Sequence, residues 1–219
     1  MWRRNGLSIA LFVLFVLCLV GHSISGWKEY NEEQREHGEK TVSLSQYLRT
    51  SSFGESVFEN WESEFLQMAM YVMLTAFLQQ KGSAESKDLD DAGEIDDDPH
   101  RHRGDENAPW PVRRGGWILT LYRNSLSIAF FLLFAVSLLL HARSGAGMFN
   151  EESAAHGTPT NLTTLEYATT SQFWFESFQN WQSEFLAVFA IVVLSIWLRQ
   201  WGSPESKPVH APHSATGAS

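Results

Sequence analysis

The sequence holds a single cysteine, Cys18, and it lies inside an apolar run. An intramolecular disulfide is thereby excluded, and a structural zinc site would need ligands other than thiolates. Cys18 itself reads as a small apolar side chain. A basic stripe is also missing. Asp and Glu number 25 against 16 Lys and Arg, a formal charge of -9, which argues against nucleic acid as a partner. There is no Gly-x-Ser-x-Gly, no phosphate loop and no His-Glu-x-x-His. That lowers an enzyme reading without excluding one, and no cofactor is expected.

What the chain does have is segregation. The mean hydropathy is slightly negative, yet the apolar residues fall into four blocks and the charges lie between them. The blocks are Leu7 to Val20, Phe65 to Leu78, Leu126 to Leu140 and Phe185 to Leu198. A bilayer separates residues in this way, and roughly 20 apolar residues cross its hydrocarbon. Nine Trp and fifteen Phe are many for 219 residues, and Trp favours the membrane–water boundary. The second and fourth blocks are short, but their helices can start earlier. Ser52 and Glu55 fit a capping box, Phe53, Val57, Trp61 and Phe65 form one stripe, and Gly82 is a stop. The spacing predicts a helix from about Ser52 to Lys81. Trp181 and Trp201 would stand about 30 Å apart on the fourth helix, a hydrocarbon thickness.

The halves read as copies. At an offset of 119, Leu7-Ser8-Ile9-Ala10 matches Leu126-Ser127-Ile128-Ala129, His22 matches His141 and Gly26 matches Gly145. Asn31-Glu32-Glu33 with His37-Gly38 matches Asn150-Glu151-Glu152 with His156-Gly157. One inserted residue moves the offset to 120. Tyr47, Phe53, Asn60-Trp61 and Ser63-Glu64-Phe65-Leu66 then match Tyr167, Phe173, Asn180-Trp181 and Ser183-Glu184-Phe185-Leu186. Arg3-Arg4 before the first block resembles the start of a signal peptide. Its second copy is internal, so the first is expected to be a retained span.

The organisation expected is all-α, an integral membrane protein with four transmembrane helices as two tandem parallel-repeat hairpins. The hairpins are residues 1–82 and 117–202, joined by a disordered cytoplasmic linker over 83–116 and followed by a disordered tail over 203–219. The linker carries the acidic run Asp88-Leu89-Asp90-Asp91 and Asp96 to Asp98, then Arg101, Arg103, Arg113 and Arg114. With both termini cytoplasmic, the inner segments hold eleven basic residues and the outer ones five, as the positive-inside rule prefers.

This topology brings His22, at the expected end of the first helix, to the level of Glu64, and His141 to that of Glu184. Four readings of this polar intramembrane cluster stand side by side. A His22–Glu64 bond and a His141–Glu184 bond could fix helix register. The carboxylates could form a proton or ion path. Two imidazoles and two carboxylates suit a divalent metal. Two histidines could also hold a haem. Trp61, Trp181 and Trp201 read as interface anchors. The outer loops with Asn31-Glu32-Glu33 and His37, and their copies with His156, read as solvated caps or as cation or partner sites. His100 and His102 beside Asp96 to Asp98 are weak metal candidates, Arg4 and Arg123 are suited to lipid phosphate, and Asn161-Leu162-Thr163 is a formal glycosylation sequon.

The doubled Asn-Trp-x-Ser-Glu-Phe-Leu pattern, with the Asn-x-Leu-Ser-Ile-Ala start, resembles an uncharacterised bacterial family of small duplicated four-pass membrane proteins. The resemblance implies a bacterial cell membrane and carries over no functional residue. The expected function is a structural or interaction module in the bilayer. The alternative is a small ion or proton transport module using the outer-leaflet His/Glu pairs. A homo-oligomer is compatible with either.

Overall fold

The computed structural model describes residues 2–88 and 94–217. Among these every regular element is a helix, with no strand. Trp2–Glu36 forms α1, Leu44–Tyr47 α2, Ser51–Phe77 α3, Trp110–Arg114 α4, Gly116–Arg123 α5, Ser125–Ala155 α6, Thr164–Tyr167 α7 and Ser171–Leu194 α8. Leu89 to Asp91 of the acidic run lie outside the described residues.

Among the described residues two helices are long and apolar enough to cross a membrane, one over Arg4–Glu36 and one over Ser125–Ala155. Four were expected. α3 falls short because Glu55, Glu59, Glu62 and Glu64 fill its first half and it ends at Phe77. The stretch from Phe65 to Phe77 is only about 20 Å long, against the roughly 30 Å of a hydrocarbon core. α8 stops at Leu194, so Trp201 is not on that helix and the expected Trp181–Trp201 ruler does not apply.

α1 does not end at His22. It continues fourteen residues further to Glu36, and α6 continues fourteen beyond His141 to Ala155. Both stop at a glycine in the left-handed region, Gly38 at φ +73° and Gly157 at φ +74°. The chain then folds back on each helix. Asn31 Oδ1 accepts from the Val42 N–H at 2.6 Å, and its Nδ2 donates to the Val42 carbonyl at 3.0 Å. Asn150 makes the same pair with Leu162, at 2.8 and 2.9 Å. A short capped turn follows in each half. Gln46 accepts from the Ser43 N–H, and Glu166 and Thr163 bond reciprocally. The expected Ser52 cap of α3 moves two residues. Thr50 Oγ1 accepts from the Phe53 N–H, as Thr170 does from Phe173, and Glu55 is buried instead of serving a capping box.

The chain forms two compact units, and each draws on both halves of the sequence. The first comprises residues 1–58 and 139–173. Its centre holds Tyr47, His141, Ala142, Ala146, Tyr167 and Phe173, all buried. Gly26 and Gly145 seat the tyrosines, since a Cβ at either would overlap the Tyr47 or Tyr167 ring.

The second unit comprises residues 59–138 and 174–219. Polar groups are interior here. Asn180 Nδ2 donates to Glu59 at 2.5 Å and Trp181 Nε1 to Glu62 at 3.2 Å. The linker and tail, both expected to be disordered, contribute to this unit. Ser195 Oγ meets Ser83 Oγ at 3.0 Å and accepts from the Ala84 N–H at 3.1 Å. Lys87 pairs with Asp96 at 2.8 Å. In the tail, the buried Lys207 ammonium donates to the carbonyls of Gly82, His213 and Ala215. Charge-assisted bonds of this kind order a polar segment that has little apolar surface to bury.

Candidate functional site

The first unit contains the two histidines singled out by the sequence, each in a cage of the same residue types. His22, half-buried on α1, lies 5.8 Å from the Phe53 ring, and Phe53 lies 5.4 Å from Tyr47. His141, fully buried on α6, lies 4.9 Å from Phe173, and Phe173 lies 5.9 Å from Tyr167. The two cages then differ in their polar partners. His22 Nε2 meets Ser56 Oγ at 3.1 Å, and the Ser56 hydroxyl donates to the Phe53 carbonyl at 3.0 Å. Its one proton being used there, Ser56 accepts from His22, which therefore carries hydrogen on Nε2. His141 has instead the carboxylate of Glu55, with ligand atoms of the two within 4.8 Å of one another. Glu55 is itself buried.

The pairing expected for His22 is thus corrected. Its partner is Ser56, eight residues or about 12 Å before Glu64 on α3. α1 runs on past His22 to Glu36, and the chain that folds back from its end brings Ser56 of α3, not Glu64, to His22. Glu64 is exposed and Glu184 half-buried. The Glu184 backbone carbonyl accepts from Gln67 Nε2 at 2.8 Å. Of the three expected anchors, Trp61 is half-buried, Trp181 donates to Glu62, and Trp201 is exposed.

The repeated loop motif has a structural counterpart. His37 and His156 approach edge to face with ring centroids 6.2 Å apart. They border a cleft of about 750 Å³ also lined by Glu33, Glu39, Glu151 and Glu152. His156 Nδ1 donates to the Glu152 carbonyl at 2.9 Å, leaving Nε2 toward the surroundings.

The other histidine pair from the sequence has a simpler role. His102 Nε2 meets the Asp97 carboxylate at 2.7 Å. That hydrogen bond, with the carboxylate's charge, raises the His102 pKa above its ordinary value and lowers that of Asp97. The pair's contribution is complete below the ordinary histidine pKa of 6.5 and is lost as pH rises through the higher folded value. In a proton NMR titration the His102 midpoint is expected to drop on Asp97→Asn. Identical midpoints in both proteins would show that the pair does not form.

Sequence reading gave Glu55 only a capping role and missed Ser56, Glu59 and Glu62. It weighed the positions where the two halves of the sequence agree, and these lie where the halves differ. A family model described as a domain of unknown function (DUF6766) matches residues 1–218. No curated protein and no solved structure matches the chain.

Proposed function

Because the chain belongs to the DUF6766 family, whose description assigns no activity, its role has to come from its own residues, and we propose that it is a multi-pass membrane protein acting as a structural or interaction module. The finer reading keeps four passes in two duplicated hairpins in a bacterial cell membrane, with both termini cytoplasmic. On this reading the upper turns of α1, α3, α6 and α8 stand outside the hydrocarbon and the short apolar ends of α3 and α8 complete the crossing.

One observation carries the proposal. The molecule hides polar groups and shows apolar ones. His141, Glu55 and Glu62 are buried, while Leu7, Phe12, Leu17, Leu132 and Leu139 on the two longest helices are exposed. Water would reverse that arrangement, whereas lipid favours it. The His–Phe–Tyr cages give the module its rigidity by tying the long helix of each half to the turn and helix that follow. The cleft with four carboxylates and two histidines is the surface that suits a cationic partner.

A reporter enzyme fused after residue 90 tests the topology. Cytoplasmic activity is expected, and activity on the opposite side would sink it. The second reading, an ion or proton transport module, moves from Glu64 and Glu184 to Glu55, which stands beside a buried imidazole. An ionisable pair at such depth is a functional candidate in a membrane protein. Glu55→Gln separates the two. A lower melting temperature supports the structural role, and lost liposome flux with an unchanged melting temperature supports transport.

A further inference from the structure

Where α3 ends, the second unit holds a cavity of about 270 Å³. Leu74 and Leu78 on one side and Phe185, Val188 and Val192 of α8 on the other give it apolar walls. Tyr71 and Glu85 line it as well, and every one of these residues belongs to the same unit.

Glu85 is the chemical feature of the cavity. The Tyr71 hydroxyl donates to its Oε2. Its Oε1 is shielded from solvent and meets no hydrogen-bond partner among the described residues. No Lys, Arg or His among them forms an ion pair with it, and Lys87, two residues on, is engaged by Asp96. Other polar side chains on the wall are spent elsewhere. Thr75 Oγ1 donates to the Tyr71 carbonyl at 2.8 Å and Gln67 Nε2 to the Glu184 carbonyl at 2.8 Å. The loop that carries Glu85 is fastened on both sides. Ser83 Oγ accepts from the Glu85 N–H at 3.1 Å, and Ser86 Oγ from the Gln80 N–H at 2.9 Å. The carboxylate is thus held in the cavity.

A carboxylate oxygen closed off from water is costly unless a donor or a cation meets it. The C-terminal end of α3 adds the negative end of a helix dipole at the same place. We infer that the cavity binds a protonated primary amine carried on a hydrocarbon chain. The ammonium supplies both the charge and the hydrogen that Glu85 Oε1 lacks, and the apolar walls cover the chain. The second half of the sequence has no equivalent site. At the offset of 120 Ile191 stands in the place of Tyr71, and Glu205, in the place of Glu85, is exposed. One amine per chain follows. The inference goes beyond the proposed role and needs only the second unit.

The test uses the full chain in a maltoside detergent, whose head carries no charge. Hexylamine, hexanol and hexanoate are titrated by calorimetry. Saturable binding of one hexylamine per chain is expected, with hexanol at least about tenfold weaker and hexanoate without effect. Glu85→Gln should weaken the amine at least about tenfold and leave hexanol unchanged. Gln can still accept from Tyr71, so a matching melting temperature shows that the fold is kept. Val188→Phe, which fills the cavity and leaves Glu85 in place, should abolish binding of both. Absence of saturable hexylamine binding overturns the inference. So does equal affinity for amine and alcohol, or amine binding that survives either variant. Repeating the titration in nanodiscs identifies the source of the amine. Competition by phosphatidylethanolamine and not by phosphatidylglycerol points to a lipid headgroup, and equal binding in both points to a free amine. Either result upholds the site.

Discussion

Replacing Phe173 with Ala is expected to lower stability by about 3 kcal/mol or more, as removal of a fully buried aromatic ring does. Replacing its counterpart Phe53 should cost clearly less. Both rings sit between a histidine and a tyrosine, but Phe173 is buried and Phe53 half-buried. Phe173 also lies closer to its histidine, 4.9 Å against 5.8 Å. The ring cannot be replaced by neighbours, since Tyr167 is already pinned against Gly145 and the α6 backbone behind it is helical. A cavity would therefore persist. Thermal melts of the two variants in the same detergent give the comparison. Equal losses would mean that the two cages are energetically the same, and the asymmetry described above would have no energetic counterpart.

A second large effect is expected at Lys207. Its ammonium is buried and has three carbonyl acceptors, on Gly82, His213 and Ala215. Lys207→Met retains much of the stem's bulk and removes all three donors. Bonds from charged donors contribute about 1.5 to 3 kcal/mol each, and the carbonyls left behind lose their partners in a closed space. The tail should detach from the end of α3. The readout is limited proteolysis: cleavage after residue 203 should become fast in the variant and stay slow in the native chain, with the helical content unchanged. Equal cleavage rates would show that Lys207 does not hold the tail. The neighbouring bond from the Gly82 N–H to Thr216 Oγ1 gives a milder control, Thr216→Val.

Much of this molecule was legible in its residues. The all-helical class followed from apolar blocks of helical length bounded by Gly and polar runs. The halves could be aligned from identities, and equivalent residues make equivalent bonds at Asn31 and Asn150, Thr50 and Thr170, and Gln80 and Gln200, whose N–H groups bond Ser86 and Ser206. Local signals placed the start of α3 to within two residues, Thr50 capping it where Ser52 was expected, because a cap's partners are only a few residues away.

Other features were not. The end of α1 was placed at His22, where the apolar block stops, but hydrogen bonding along a helix does not require apolar residues. Asn31 and the folded-back loop carry it on to Glu36. That error shifted the level of His22 and produced the Glu64 pairing. The bonds made by described residues of the linker and tail were hidden for a related reason. Composition measures apolar burial, whereas Ser83, Ser195 and Lys207 act through hydrogen bonds to segments more than a hundred residues away.

The sequence by itself determined the helical class and the first and third apolar blocks, which form the two long apolar helices, because these depend on short-range patterning. Only the tertiary structure decided that Ser56 is the partner of His22, that Glu55 faces His141, and that Lys207 fastens the tail. Each of those joins residues on different elements. Which side chains meet there depends on where long helices end and how they pack, and a change of one turn, 5.4 Å, exchanges one partner for another.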